Sequence, residues 1–535
     1  LARFWNRRVE RLRAELRAEW GRRRVARPVT SADTEYHAGI GGSGQPSPIE
    51  DRLARDLQLD DVLCSIDRTL SPLGRQLLYH QLRSEPGDDA LAELERLTTA
   101  FSSGAGLREE AQLVLKRIEG ARCAGIWRLC LPDGVPRRGW YVAFPILAIA
   151  TIVAALMIPV WHQAFLVLLA LLVASIAVRG ITSWQTAAVL RPIASLGPIL
   201  AAADALCALD GLPEPQTAGI RNDLEALATL RRIVRWAARD PMAQGELSGV
   251  AQEYLNMILL LDANAMFFGG RTLRAHGKAL RRVLEWVGAL DMALGIASLR
   301  AEPEVWCTPE VTNDGALELA DVRHPMLDAP VANSVRIAAG HGIVVTGANM
   351  SGKTTFLRTV GVAAVLARSI NTSPSRGYRG PRVRVQTCIQ VSDSLAEGKS
   401  YYLAEAEAAV SMMDLARSGP SCLFVVDELF RGTNSVERIA AGEAVLRWLA
   451  GRGELGHYVL AATHDGELVE LLRDCYVAMH FEEQVAEDRL LFDYRLRPGP
   501  ATSRSALRLL ELLGAPAGMV ASARERAREM DEAEG

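Results

Sequence analysis

Gly347-Ala348-Asn349-Met350-Ser351-Gly352-Lys353-Thr354-Thr355 is the stretch whose reading decides the fold. It fits the phosphate-binding pattern G-x-x-x-x-G-K-[ST] and sits where that pattern must sit to work. Before it, Ile343-Val344-Val345 reads as a short, fully buried strand of β-branched residues. After it, Phe356-Leu357-Arg358-Thr359-Val360 opens an apolar-periodic helix. Strand, loop and helix in this order aim backbone N–H groups at phosphates, backed by the positive end of a helix dipole. The expectation is that residues Gly347 to Thr355 cradle a nucleotide. Lys353 would reach the β- and γ-phosphates, and the Thr354 hydroxyl would ligate Mg²⁺. A chance glycine turn before a helix is the competing reading, and the flanking strand and helix argue against it.

The chain has 535 residues and a formal net charge of −3. That length predicts three or four structural units, and that charge excludes a bulk field favouring nucleic acid. Its eight cysteines are scattered without a C-x-x-C pair, so the spacing suggests neither a zinc site nor a disulfide framework, and reduced thiols in the cytosol fit best. The sequence opens on Leu1 rather than methionine, so a missing N-terminus or an alternative start codon is expected.

Upstream of the loop the texture is helical. Residues 1–24 hold nine arginines against three glutamates, and Trp5, Val9, Leu12, Leu16 and Trp20 fall on one face at helical spacing. A basic amphipathic helix is expected over 1–37. It either lies on an anionic membrane surface or packs on its own protein with a solvated arginine face. Residues 38–48 read as a Gly/Pro linker, and 49–139 as the first part of a helical core domain, broken at Pro72 and Pro86-Gly87.

Trp140 to Val178 is a run of 39 residues without a charge, and its strongly polar side chains are His162 and Gln163. Two spans of nearly twenty residues would each cross a hydrocarbon core of about 30 Å. A transmembrane hairpin is therefore expected over 140–179. It would run Tyr141–Val160, turn at Trp161-His162-Gln163, and return through Ala164–Val178, with Trp140, Tyr141 and Trp161 at the interfaces. Arg137, Arg138 and Arg179 flank it while the turn carries no lysine or arginine, which puts both chain ends on the cytoplasmic side. A buried core hairpin is the competing reading. Residues 180–309 return to helical patterns, among them Leu224–Trp236 and Ala279–Leu299, as the second part of the helical domain. From 310 to 535, strands alternate with helices around a Gly/Pro-rich break at Ser373–Pro381, which is an α/β domain.

Two further strands in that domain end in chemistry. Cys422–Val426 runs into Asp427 and Glu428. Asp427 is placed to bind the magnesium shell, and Glu428 to accept a proton from an attacking water. His457–Ala462 runs into Thr463-His464-Asp465, where His464 can sense a γ-phosphate.

Together these residues resemble the ATPase domain of the MutS family of DNA mismatch-repair proteins, a branch of the ABC-type ATPases. Thr346–Thr355 looks like that family's T-G-P-N-M-G-G-K-S-T, with Ala348 for proline, Ser351 for glycine and Thr354 for serine. Ser392–Ser400 resembles S-D-D-L-x-x-G-x-S, with Glu405 at the family's following glutamate. The resemblance implies that Ser400 contacts the nucleotide of a second subunit in trans. Asp427–Thr433 resembles D-E-I-G-R-G-T with Phe430 for glycine, and Ala462-Thr463-His464 with Glu467-Leu468 is similar to A-T-H-x-x-E-L. Tyr494-Arg495-Leu496 through Pro498-Gly499 to Gly514-Ala515-Pro516 resembles the C-terminal dimerisation segment. Fainter likeness covers Ser65–Thr69 with Gly74–Leu78, Ala289-Leu290-Asp291 with Ala297, and Arg323-His324-Pro325.

The resemblance implies a P-loop ABC-type α/β ATPase domain joined to an all-α lever and core domain, here interrupted by the hairpin. It implies ATP and Mg²⁺ as ligands and a homodimer with composite ATP sites. The first sixty residues offer no Phe-x-Glu wedge, and the apolar hairpin stands where a DNA-clamping insertion would emerge, so mismatch repair does not transfer with the fold. Two functions are expected to compete. One is a membrane-anchored MutS-like ATPase with DNA as a candidate partner; the other is a membrane-bound nucleotide switch acting on an unknown protein partner without DNA. An ABC transporter subunit is disfavoured by two spans per chain and the absence of L-S-G-G-Q.

Overall fold

The computed structural model describes residues 2–41, 48–121, 123–237, 258–303, 305–313, 315–348, 351–389, 401–418, 421–431, 433–451, 456–486, 489–501, 510 and 514–534. The chain forms two compact units. One comprises 1–45, 67–80 and 92–301, and the other 46–66, 81–91 and 302–535.

The first unit is helical. Its N-terminal helix, Ala2–Glu19, turns its apolar stripe onto the helix Ala105–Lys116. Leu16 is buried there, Arg17 clasps Glu109 through two bonds of 2.6 Å, and Arg13 pairs with Glu110. Arg108 lies 4.3 Å from the Trp20 ring. Within the unit this helix packs on its own protein through Leu16 and the Arg13 and Arg17 pairs.

A buried carboxylate ties the long helix Leu261–Arg300 to the segment before the helix Pro72–Leu82. Asp291 accepts from the Leu70 N–H at 2.9 Å and from the Ser71 N–H and hydroxyl at 2.6 Å each. Gly74 faces it so closely that a Cβ would lie 2.3 Å from Asp291 Oδ2, which explains a glycine inside a helix. Asp67 performs the same service locally, accepting from Thr69 and pairing with Arg75 at 2.6 Å.

The apolar run forms two antiparallel helices, Ala143–Met157 and Ala164–Cys207. Ile146, Ile149, Leu156, Leu166 and Val173 are each at least 60% exposed, while Thr151, Ala154, Ala164 and Ser175 are buried. Apart from Phe144, which is buried, the large apolar side chains thus mostly point outward and small ones inward, the reverse of a core hairpin in water. Two details differ from expectation. The second helix does not stop near Val178 but continues to Cys207 through Pro192 and Pro198, because Arg179 marks a change of polarity and not of helix propensity. Tyr141, expected at an interface, is 3% exposed and stacks on Phe144 at 5.1 Å.

The second unit holds two sheets. Number the strands β1 Glu310–Val311, β2 Ala316–Val322, β3 Asn333–Ala338, β4 His341–Thr346, β5 Gly377–Gly380, β6 Arg384–Cys388, β7 Cys422–Asp427, β8 Tyr458–Ala462, β9 Tyr476–Ala486 and β10 Arg489–Pro498. The smaller sheet has the order β1-β5-β2-β3 and the larger β10-β9-β4-β8-β7-β6. In the larger sheet β9, β4, β8, β7 and β6 are parallel, and β10 closes the edge antiparallel to β9. β7 and β8 are buried along their whole length, as continuous apolar runs covered on both faces must be. The expected Gly/Pro break at Ser373–Pro381 contains β5. Gly380, at φ 149°, lets that strand lie against β2, where a Cβ would meet the Ala316 carbonyl at 2.9 Å.

Candidate functional site

Parallel strands end on one edge of a sheet, so whatever their last residues carry is gathered there. β4 ends at Thr346, β7 at Asp427 and β8 at Ala462, and the loops that follow hold the expected residues. After β4 the chain turns through Gly347 at φ 134° and reaches Gly352 at φ 101°, which caps the helix Lys353–Ile370. Both glycines are required. A Cβ on Gly347 would sit 2.8 Å from the Phe481 carbonyl, and φ above zero strains any other residue at either position.

Lys353 is 2% exposed and folds back over the loop. Its ammonium donates to Gly347 O at 2.7 Å and to Ala348 O at 3.0 Å, and lies 3.1 Å from His464 Nε2. Ser351, in the family's glycine position, is buried and donates its hydroxyl to Ala348 O at 2.7 Å, closing the turn. Thr355 lies in the first turn of the helix and lines a cleft described below. Asn349 and Met350 lie outside the described residues, as do Ser392–Ser400 and Gly432.

The Thr354 hydroxyl donates to Asp427 Oδ2 at 2.6 Å. The other oxygen, Asp427 Oδ1, is buried and has no hydrogen-bond partner among the described residues. An orphaned buried carboxylate oxygen beside a hydroxyl is a donor set of hard oxygens, which suits Mg²⁺. The residues present therefore fit that ion, with Thr354 and Asp427 to hold it.

Glu428 follows with φ 51°, its N–H bonded to Ala462 O at 3.0 Å, so β7 and β8 fix its backbone. Its Oε1 lies 2.8 Å from His464 Nε2 and its Oε2 2.6 Å from Arg431 Nε. Burial by itself pushes the Glu428 carboxyl up, but the His464 hydrogen bond and the charges of His464, Arg431 and Lys353 outweigh it and hold the group below the usual glutamate range. Glu428 is thus a carboxylate at neutral pH. Asp465 is held by Arg438 through bonds of 2.8 and 2.9 Å, which anchors the loop that carries His464.

Beside the loop, a cleft is lined by His324, Leu327, Val331, Phe356, Phe481 and Tyr494, among others. His324 is pushed down to about 4, first by burial and then by the Arg358 charge, so it presents a neutral ring there. Arg431 and this cleft were not singled out by motif reading as parts of the site. Arg431 stood inside the quoted Asp427–Thr433 segment and His324 inside Arg323-His324-Pro325, but spacing gave neither a partner.

A mixed α/β domain with a lysine-closed glycine loop, two carboxylates and a histidine on adjacent strand ends is the class that fold and site define. Residues 343–531 match the family model of MutS domain V. The chain is 30% identical over 271 residues to the DNA mismatch repair protein MutS of Methanosarcina mazei, an alignment covering 49% of this chain and 30% of that protein. Over these residues the C-terminal part of the chain is similar to MutS proteins. The chain spans about a third of the length of that curated relative.

Proposed function

We propose that the protein is a MutS-type P-loop ATPase anchored in a membrane by its apolar hairpin, acting as a dimer whose ATP sites are shared between copies. The observation that carries the catalytic reading is the chain of contacts Lys353–His464–Glu428, at 3.1 and 2.8 Å, on the ends of neighbouring strands. In this reading the loop from Gly347 to Thr355 wraps the phosphates, and Lys353 moves from Gly347 O and Ala348 O to the β- and γ-oxygens. The cleft at His324, Phe356 and Tyr494 takes the base, since it is apolar and opens beside the loop. Glu428 accepts a proton from the water that attacks the γ-phosphorus, the bond from that phosphorus to the β-bridging oxygen breaks, and ADP leaves. His464 orients Glu428 and the γ-phosphate. Mg²⁺ held by Thr354 and Asp427 would neutralise charge on the phosphate oxygens. Ser400 of one copy completes the site of the other.

Lys353→Ala should abolish binding of an ATP analogue measured by filter retention or calorimetry. Glu428→Gln should still bind ATP but hydrolyse it at least about 100-fold more slowly, the scale of a lost general base. Hydrolysis by Glu428→Gln at the wild-type rate would remove Glu428 from this role.

The hairpin reading rests on two helices, Gly139–Met157 and Ala164–Thr182, each of 19 residues with mean hydropathy 2.2 and 2.5. Flanking arginines put both chain ends and the ATPase domain on the cytoplasmic side. A second reading, a nucleotide switch with a protein partner and no DNA, is favoured by one observation. Arg13 and Arg17 of the basic N-terminal helix already pair with Glu110 and Glu109, which offsets part of that helix's positive charge. Duplex binding by the detergent-solubilised protein, titrated with salt, separates the two readings: an affinity falling steeply with salt supports DNA. No binding at low salt with hydrolysis intact supports the switch.

A further inference from the structure

The long helix Leu261–Arg300 is not one rod. His276 leaves helical geometry at φ −124° and ψ 19°, so residues 261–275 form an arm of their own. The arm runs back along the approach to the hairpin, and three contacts fix its course. A Cβ on Gly277 would lie 2.7 Å from the Cys130 carbonyl, and one on Gly270 would lie 2.7 Å from Val135 Cγ1. Further along, Asn264 Nδ2 donates to the Phe144 carbonyl at 3.5 Å. Val135 stands before the apolar span that opens at Gly139, and Phe144 stands inside it. In the membrane-anchored reading the arm therefore crosses the depth at which the hairpin enters lipid.

Its side chains suit that depth. Phe268 is 49% exposed, and Trp140 at the start of the hairpin is 39% exposed. Exposed aromatic rings are favoured at the boundary between headgroups and hydrocarbon. Away from the hydrocarbon, one turn past Phe267 and Phe268, come Arg271 and Arg274. Phe267, Arg271 and Arg274 follow i, i+4, i+7 spacing and share a helical face. The opposite face carries Met266, Gly269, Gly270 and Leu273, which are buried. Residues 127–142 and 261–278 together hold six cations, Arg128, Arg137, Arg138, Arg271, Arg274 and Lys278, against the carboxylates of Asp133 and Asp262. Among the described residues none of the six is in an ion pair, whereas Arg13 and Arg17 of the N-terminal helix both are.

We propose that this collar, with Arg271 and Arg274 of the arm beside Arg137 and Arg138, binds the phosphates of anionic lipid headgroups while Phe268 and Trp140 sit at the hydrocarbon boundary. The proposal rests on the membrane-anchored reading above. It adds that the long helix itself responds to the charge of the leaflet, through residues far along the chain from the hairpin's own arginines. A nucleic-acid backbone also offers phosphates, but it offers no hydrocarbon to the exposed rings, and the collar is continuous with the apolar hairpin.

The test uses the full chain reconstituted in vesicles, with spin-labelled phosphatidylglycerol and phosphatidylcholine reporting the lipid that the protein immobilises. Wild-type protein should hold phosphatidylglycerol at least about fivefold more strongly than phosphatidylcholine, the scale of one arginine at an anionic surface, and lose that preference in high salt. Arg271→Gln with Arg274→Gln should cut the preference to about twofold or less, although Arg137 and Arg138 remain. Arg271→Lys with Arg274→Lys keeps the charge and should keep the preference. Unchanged selectivity in the double Gln variant overturns the proposal, as does an equal loss in the double Lys variant. Binding of a DNA duplex in detergent at low salt that needs the same arginines, and that phosphatidylglycerol does not displace, overturns it in favour of nucleic acid. Release of the wild-type chain by carbonate overturns the membrane reading and the collar with it. A carbonate-resistant wild type without lipid preference overturns the collar alone.

Discussion

Phe430 shows how one residue departs from a family pattern without breaking the site. It takes the place of a glycine and keeps the glycine's backbone, at φ 59° with Glu428 at φ 51° two residues before. That conformation costs a non-glycine residue about 1 kcal/mol. The ring offsets the cost, being 6% exposed within the cluster of Phe424, Leu429, Leu446 and Leu468. Phe430→Gly should relieve the strain but lose the burial, for a net destabilisation of about 2 kcal/mol in urea unfolding. An unchanged or higher midpoint would show that burial of the ring contributes no more than the strain it offsets. His464 presents a different constraint at the same scale. Its Nε2 faces both the Lys353 ammonium and the Glu428 carboxylate, and one nitrogen cannot accept from the first while donating to the second. In the proposed mechanism, where Lys353 moves toward a phosphate, Nε2 would be left to face Glu428 alone.

At the scale of elements, the sequence was most legible where strand, loop and helix followed each other without interruption. β7 and β8 fall within a residue of the expected apolar runs and β4 within two, because each is built on a block of buried residues. β5 was hidden because glycines and prolines signal a break unless the neighbouring strand that accepts them is known. The apolar span and the helical stretch expected after it form one helix, Ala164–Cys207, because a change of charge at Arg179 does not end a helix. The placement of residues 261–275 beside the start of the hairpin depends on contacts between distant segments, and no local pattern encodes it. Asp291 lies between these cases: its residue type stood out, its role did not. Asp291→Ala leaves the Leu70 and Ser71 N–H groups buried without an acceptor, and should destabilise the helical unit by about 3 kcal/mol. Trp127, buried in that unit, gives the fluorescence signal to follow its unfolding, and a loss below about 1 kcal/mol would contradict this role.

For the whole molecule, the outward-facing apolar surface of the hairpin dominates behaviour in solution. Exposed rows such as Ile146, Ile149, Leu156, Phe165, Leu166 and Val173 exceed what a soluble surface carries. The protein should resist carbonate extraction from membranes, and removal of residues 141–178 should release it to the soluble fraction. Release of the intact chain by carbonate or salt would sink the membrane reading. The helix Ala164–Cys207 gives this anchor a mechanical meaning. At 1.5 Å per residue its 44 residues reach about 66 Å, more than twice a hydrocarbon core of about 30 Å. No loop interrupts it where the apolar stretch ends, so in the membrane-anchored reading the bilayer boundary would not be a swivel. A tilt of about 10° at one end would sweep the other through about 11 Å by the geometry of a rigid rod of that length. The places where the rod can yield are Pro192 and Pro198, past the apolar stretch and on the charged side of Arg179. Bending there would spare the membrane the motion; stiffening there would deliver it.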